Sequence, residues 1–227
     1  MIYIKKGDIP NTFLTYSQQK NAHFDDMPTE VKQILRESLW REQGGICAYC
    51  MQSIKPNGQS MKIEHFHARN SDNELDYHNL LAVCHGGEGR GVEHHTCDTC
   101  KGDREIHISP LNAGDMLTIS YTSNGVITTS KPGGQDELDA ILNLNDKYLV
   151  QNRRKQLHAL KKGISNHFKN KTVSKQYWQK IYRYYSLKED GTYQEYVGIL
   201  LWYLKKKFNI LRNENGHEGG SDLVDTE

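Results

Sequence analysis

Apolar residues recur at helical spacing in two separate parts of the chain. The first part predicts an N-terminal helix over 28–43, which Gly44 and Gly45 would end. The apolar face of this helix consists of Val31, Ile34, Leu35 and Leu39. The second part starts with an Asn-Asp cap at 145–146 and continues with an apolar stripe, Leu157, Leu160, Ile164 and Phe168. Two further helices, rich in Tyr, are predicted over 172–187 and 192–208.

Between these helical parts the pattern changes to alternation. The segment His107–Ser130 alternates apolar and polar residues around "SNG", which predicts a β-hairpin. Helices and strands in separate stretches predict an α+β fold.

The composition is typical of a soluble globular protein, with 36% hydrophobic and 25% charged residues and a mean hydropathy of −0.76. The apolar run Val197–Leu204 is too short to span a bilayer, so no membrane contact is expected. The N-terminal lysines are not followed by an apolar segment, so we expect no secretory signal and a cytoplasmic location.

Charge is distributed unevenly along the chain. Residues 151–210 hold 14 Lys or Arg against three acids, whereas residues 211–227 hold one Arg and five acids. The basic stretch suits a polyanion or an acidic protein partner, or it is simply a set of solvated helix faces. The acidic, Gly-rich tail is predicted to be disordered.

All five cysteines lie between Cys47 and Cys100. In a chain with no secretory signal, such clustering favours a metal site over disulfides. "CAYC" would supply the first pair of zinc ligands. The second pair is either Cys97 with Cys100, as in a zinc ribbon, or Cys84 with Cys97, and spacing alone favours the ribbon.

The residues between the cysteines resemble the HNH nuclease motif, a ββα-metal module. In that motif an acid–His pair ends the first strand, and an Asn precedes a second strand that ends at a cysteine. Another cysteine opens the helix, followed by His or Asn and then by Lys. The matching residues here are Glu64, His65, Asn79, Cys84, Cys97, Asp98 and Lys101. The resemblance covers roughly residues 45–105.

Further segments, including "NLLAVCHGGEG", "HTCDTCKGD" and "ILNLN", resemble the HNH component of Septu-type anti-phage systems, which also occurs with some retrons. This resemblance implies a partner ATPase. It also implies a structural Zn²⁺ held by Cys47, Cys50, Cys84 and Cys97, with Cys100 and then His95 as substitutes.

The same resemblance assigns catalytic roles. His65 would take the proton of the attacking water, since an imidazole titrates near neutral pH. Glu64 and Asp98 would bind Mg²⁺ or Mn²⁺, because Mg²⁺ takes one or two carboxylates and keeps several waters. Asn79 would brace the loop behind His65. Lys101 would contact phosphate or complete the surface of its helix.

Two residues depart from the motif. Glu64 stands where Asp is common, and Asp98 stands where His or Asn is usual, which adds negative charge and favours a hard ion. Because successive strand residues point to opposite faces, the chain is expected to bend or leave the strand at Glu64–His65. The Gly-rich stretch after Cys84 is expected to be an inserted loop near the site, from which Arg90 could reach a nucleic-acid backbone.

The predicted fold is therefore a zinc-stabilised ββα-metal core with an N-terminal helix, a β-hairpin and a C-terminal helical region. Residues 1–135 would form the nuclease domain, 136–210 a basic helical region and 211–227 the tail. The predicted function is a metal-dependent endonuclease acting on DNA or, alternatively, RNA. The competing hypothesis is a non-catalytic zinc-ribbon adaptor that binds nucleic acid or protein, and a redox role for "CAYC" is the third.

Overall fold

A computed structural model describes residues 1–169, 172–186 and 191–214, the last seven of these by backbone only. The chain forms a mixed α+β structure with two small antiparallel sheets. The strands are β1 (Lys62–His65), β2 (Leu80–Val83), β3 (Ile119–Tyr121) and β4 (Ile127–Thr129). The helices are α1 (Asn11–Ser17), α2 (Thr29–Gln43), α3 (Cys97–Lys101), α4 (Ala113–Thr118), α5 (Gly134–Asp136), α6 (Lys147–Phe168), α7 (Lys175–Ser186) and α8 (Val197–Glu214).

The predicted N-terminal helix is confirmed as α2. Gly44 ends it in the left-handed conformation, φ 66°, and donates its N–H to a carbonyl of the last turn. Leu35 and Leu39 are fully buried. The Gln43 side chain donates to Ala82 O at 2.8 Å and accepts from Ala82 N at 2.7 Å, so α2 covers the outer edge of β2.

The first sheet is the hairpin that positions the candidate site. Strands β1 and β2 pair antiparallel, with Glu64 opposite Leu81 and His65 opposite Leu80. All four residues of β2 are buried. Helix α3 follows β2 after a loop, residues 85–96, which we call the Gly-rich insertion. It is an ordered loop with a 3-10 turn, Val92–His94.

The second hairpin is confirmed only in its later half. Strands β3 and β4 pair around the predicted "SNG" turn, but the segment before them forms helix α4. The Asn112 side chain accepts hydrogen bonds from the N–H groups of Gly114 and Asp115, so this cap starts a helix where alternation predicted a strand.

The C-terminal helices pack against the rest of the molecule. Helix α6 begins at the predicted cap, since Asp146 accepts from Tyr148 N, and Leu157, Leu160 and Ile164 are buried as predicted. Helix α8 begins at Val197, later than predicted. Tyr196 adopts φ 56° and donates its N–H to Met51 O, so the helix cannot extend toward the N-terminus beyond Val197.

One cluster of buried residues spans both predicted domains. Arg153 of α6 is buried and donates to Gly125 O at 2.6 Å and to Leu144 O at 2.7 Å. The division at residue 135 stays a prediction. Residues 211–214 of the predicted tail belong to α8, and 215–227 lie outside the described residues. No helix in the described ranges is long and apolar enough to cross a bilayer.

Candidate active site

Four buried thiols converge beside the first hairpin. Cys47 and Cys50 lie just after α2, Cys84 follows β2 and Cys97 is the first residue of α3. Their sulfur atoms all lie within 4.8 Å of one another. Three of these separations are 3.8 Å for Cys47–Cys97, 3.6 Å for Cys50–Cys84 and 3.8 Å for Cys84–Cys97.

These separations fit a tetrahedral metal site. Four sulfurs at about 2.3 Å from a zinc ion would stand about 3.8 Å apart, whereas a disulfide needs about 2.0 Å. Burial opposes ionisation of Cys47, but hydrogen bonds from the neighbouring thiols hold its pKa well below the usual range. Cys100 is partly exposed and does not belong to the group. The cluster could therefore bind zinc through Cys84 and without Cys100.

Two carboxyl groups meet next to this cluster. Glu64 lies in β1 and is 5% exposed, and Asp98 is the second residue of α3. Burial, then a hydrogen bond with Asp98 and the charge of Asp98, together raise the pKa of Glu64 to about 9. Tyr49 of "CAYC" donates its hydroxyl to Glu64 Oε1 at 3.3 Å. The pair therefore combines a buried and a partly exposed carboxyl group, and the turn that carries Cys47 and Cys50 contacts it through Tyr49.

Two lysines cross between β1 and α3. Lys101 Nζ lies 2.9 Å from Glu64 Oε1 and donates to His65 O at 3.3 Å. Its side chain is 1% exposed, so Lys101 is not part of the helix surface. Lys62 Nζ lies 3.4 Å from Asp98 Oδ2 and donates to Thr99 Oγ1 at 3.0 Å. The carboxyl pair thus has one buried and one partly exposed cationic neighbour.

His65 does not join the carboxyl pair. The expected bend at Glu64–His65 is wrong, because β1 runs regularly through both residues and its alternation sends their side chains apart. The His65 Nε2 atom lies 3.0 Å from Glu74 O, and its ring meets the Phe24 ring edge-on at 4.6 Å. Within the described residues, His65 makes no hydrogen bond or ion pair with either carboxyl group.

The state of the His65 ring follows from these neighbours. A carbonyl oxygen only accepts hydrogen bonds, so Nε2 carries the proton and Nδ1 keeps its lone pair. Burial lowers the pKa of His65 below its usual value. The imidazole is therefore neutral at pH 7 and can accept a proton at Nδ1.

Asn79 holds the loop that follows β1. Its Oδ1 accepts from His67 N at 2.8 Å and its Nδ2 donates to His67 O at 3.2 Å. Both bonds fall two residues after His65. Asn79 is buried, and it makes these contacts with the backbone rather than with the carboxyl pair.

No protein-family model matches the chain. A comparison with curated proteins finds the "Retron Ec83 putative HNH endonuclease" of Escherichia coli, 29% identical over 105 residues. The chain is similar to a retron HNH endonuclease. The match covers 39% of this chain and 41% of that relative, so the chain spans less than half of the relative's length.

Three participants were missed at the sequence level. Lys62 stands two positions before Glu64 on β1, so it shares the face of Glu64 and could have been found from that spacing. Tyr49 could have been suspected from its place inside "CAYC". Glu74, which fixes the His65 ring, gave no local signal, because the contact closes across the loop between β1 and β2.

Proposed function

We propose that this protein is a metal-dependent HNH endonuclease that hydrolyses phosphodiester bonds of nucleic acid, with DNA as the first candidate and RNA as the second. The single observation that supports this most is the meeting of Glu64 and Asp98 between the β1–β2 hairpin and α3, beside four converging thiols. The hairpin, the helix and the two acidic residues follow one another in the same order as in a ββα-metal module. The similarity to a retron HNH endonuclease supports the same proposal.

The donor sets fit two different ions. Four thiols suit a structural Zn²⁺, and two carboxylates suit Mg²⁺ or Mn²⁺, which prefer oxygen ligands. Burial and the neighbouring Asp98 raise the pKa of Glu64. A bound divalent cation would favour the ionised form of Glu64 and so lower this pKa. Such an ion supplies stabilisation of the charge that develops on the phosphate.

The chain's own groups would then divide the remaining work. His65 Nδ1 would take the proton of the attacking water, while the Glu74 carbonyl holds Nε2–H and so fixes the tautomer. Asn79 would fix the loop that determines where the ring points. Lys101 would limit the repulsion between Glu64 and Asp98.

The test is cleavage of plasmid DNA and of RNA, with added Mg²⁺ or Mn²⁺, by single variants of the proposed site. Glu64→Gln, Asp98→Asn and His65→Ala should each lose at least about 100-fold in rate, as expected for loss of an ion ligand or a general base. Glu37→Gln, Asp136→Asn and His158→Ala change exposed residues of the same types and should stay within twofold. Undiminished cleavage by His65→Ala removes the proposed mechanism.

The alternative function is a zinc-binding adaptor without catalysis. The buried Glu64–Lys101 ion pair and the separation of His65 from the carboxyl pair favour it. The ribbon arrangement expected for it, with Cys100, does not match the cluster formed with Cys84. An adaptor predicts that the three site variants bind nucleic acid or protein as the unchanged chain does, and that no cleavage occurs with either ion.

The setting of this activity is a further part of the proposal. We place the protein in the cytoplasm, in anti-phage defence, beside a partner ATPase; the retron name of the relative supports the defence setting. Co-purification of an ATPase with the tagged chain from its native host would support the partner. If that partner restrains the nuclease, the chain expressed alone should be toxic, and absence of toxicity would count against such restraint.

A further inference from the structure

A second polar site lies along the Gly-rich insertion. A cavity of about 310 Å³ opens between this insertion, the turn 52–60 and the first turns of α6. Neither Glu64 nor Asp98 lines it. Its volume is at the lower end of small-ligand pockets, about 300–1,000 Å³. It therefore suits one small molecule or one unit of a strand.

The walls of the cavity are ordered by contacts across the fold. Thr96 N donates to Gly86 O at 2.8 Å, which closes the insertion on itself. The Asn143 Nδ2 atom donates to His95 O at 2.9 Å and to Glu93 O at 3.1 Å, which ties the insertion to the segment before α6. The cavity is thus a built feature rather than a gap under a loose loop.

Several polar groups face this cavity with bonding capacity to spare. His94 Nδ1 lies 2.7 Å from Asp146 Oδ2, and the side chain of Asp146 is 4% exposed, so the imidazole is held in one orientation. The Nε2 atom of His94 is 3.7 Å from Glu93 Oε1, beyond hydrogen-bond distance. Asn152 donates Nδ2 to Tyr196 OH at 3.0 Å, which leaves its carbonyl oxygen for a ligand.

An aromatic ring and a guanidinium group complete the lining. The Arg90 guanidinium stands 4.5 Å from the centre of the Tyr148 ring. Among the described contacts, Arg90 has no carboxylate partner. An aromatic ring stacked with a cation that has no carboxylate partner matches a base next to a phosphate, because bases stack on aromatic and guanidinium planes and guanidinium groups bind phosphate.

From this arrangement we infer that the cavity binds a nucleotide, with Arg90 on the phosphate, Tyr148 against the base and His94 and Asn152 as hydrogen-bonding partners. The nucleotide is either free or part of a strand. The cavity connects to the carboxyl pair through Lys62, which pairs with both Glu88 on its wall and Asp98. A bound strand unit would therefore help to set the place of cleavage, and this last step rests on the proposed nuclease function.

The test measures binding without added Mg²⁺ or Mn²⁺, so that no cleavage occurs. Titration calorimetry with dAMP and dTMP probes a free nucleotide, and fluorescence anisotropy with a labelled twelve-base single strand probes a strand. Arg90→Ala should weaken binding about tenfold, the loss expected for one charged hydrogen bond. Arg154→Ala changes another exposed arginine, outside the cavity, and should stay within twofold.

Two charge-adding variants protect the result against misfolding. Asn152→Asp can keep the bond to Tyr196 by accepting its hydroxyl proton, and Gln59→Glu changes an exposed wall residue. Both add a negative charge to the lining of the cavity, which should weaken binding of an anionic nucleotide without changing the zinc content. Absence of binding by the unchanged chain, equal affinity for inorganic phosphate, or unchanged affinity in all three variants overturns the inference.

Failure of this inference and failure of the nuclease proposal give different results. If the cavity variants bind as the unchanged chain does while Asp98→Asn abolishes cleavage, only the cavity inference fails. If the unchanged chain binds nucleotides through Arg90 but cleaves nothing, only the nuclease proposal fails.

Discussion

At the scale of the residue, the candidate site depends on the contact between two buried ionisable side chains. Glu64 and Lys101 are both buried, and Lys101 Nζ lies 2.9 Å from Glu64 Oε1. A buried carboxyl group with a pKa raised to about 9 keeps its proton at neutral pH, so a cation that binds there would displace that proton. The same two residues can therefore serve the fold when no ion is bound and a metal site when one is.

Lys101→Met should destabilise the protein by about 1–3 kcal/mol, because it leaves the buried Glu64 carboxyl group and the His65 carbonyl without this hydrogen-bond donor. The double variant Glu64→Gln/Lys101→Met should recover part of this loss, since it leaves no charge in the same place. Guanidinium unfolding at fixed zinc concentration measures both. If the loss in the double variant equals the sum of the losses in Glu64→Gln and Lys101→Met alone, the two side chains do not interact.

Asn79→Ala should remove the two bonds to the His67 backbone and cost about 1–2 kcal/mol. Because the loop after β1 is then less restrained, amide exchange at His67 should speed up and cleavage should slow down. Asn166→Ala, an exposed position on α6, is the matched control and should change neither. An unchanged exchange rate at His67 in Asn79→Ala would remove the bracing role.

At the scale of the element, close backbone packing restrains the loop between β2 and α3. In the Gly-rich insertion, Gly86 has φ +54°, and a Cβ built there would lie 2.1 Å from Thr96 O. Gly89 has φ +84° but no atom within 4 Å of such a Cβ. The two positions share the backbone requirement and differ only in the space around them.

Gly89→Ala should therefore cost only the left-handed backbone conformation, about 1–2 kcal/mol. Gly86→Ala should cost clearly more, because the clash with Thr96 O adds to the same strain. Thermal unfolding and the rate of zinc release to a chelator compare the two. Equal effects would mean that the insertion adapts without displacing Thr96, the residue before Cys97.

The loop between β1 and β2 should open in acid. A hydrogen bond from His23 lowers the pKa of Glu74, and a hydrogen bond from Ala68 N lowers the pKa of Glu105. A lowered carboxyl pKa adds stability above the unfolded value, about 4.3, and this stability is lost as the pH falls through the folded value.

Protease nicking within residues 66–76 should thus increase between pH 5 and pH 3, about the range in which these groups are protonated. An acid-active protease and a fixed zinc concentration are needed for the measurement. The double variant Glu74→Gln/Glu105→Gln should be nicked readily at both pH values. A loop that resists nicking at pH 3 would contradict the role of the two carboxylates.

At the scale of the whole molecule, the thiol cluster joins parts that are distant along the chain. It brings the turn after α2, the end of β2 and the start of α3 to one point. Cys97 also donates its N–H to Leu142 O, which links the cluster to the segment before α6. Loss of an ion bound at this cluster would consequently affect both predicted domains together.

Cys84→Ser should reduce the zinc content from about one ion per chain toward zero, since structural zinc needs four ligands. Cys100→Ser should keep the full content, because its sulfur lies outside the group. Metal analysis of the purified variants measures this, and thermal unfolding should show a loss of cooperativity for Cys84→Ser alone. Zinc loss in Cys100→Ser and retention in Cys84→Ser would restore the ribbon arrangement.

The sequence by itself determined the features that depend on local spacing. Helix α2 with its glycine stop, the buried stripe of α6 and the turn of the second hairpin follow from residues close together in the chain. The clustering of cysteines likewise indicated a metal site. Local patterns gave wrong predictions at two places. The Asn112 cap starts a helix where a strand was predicted, and the positive φ of Tyr196 makes α8 begin later than predicted.

Only the tertiary structure decided which thiols converge and which side chains face each other. Cys84 joins the cluster and Cys100 does not, because the end of β2 places Cys84 next to the start of α3. A long insertion separates these two points in the chain, so sequence spacing could not predict that they meet. Strand alternation sends Glu64 toward Asp98 and His65 toward Glu74. Such choices depend on contacts between residues far apart in sequence, and only the folded chain sets those distances.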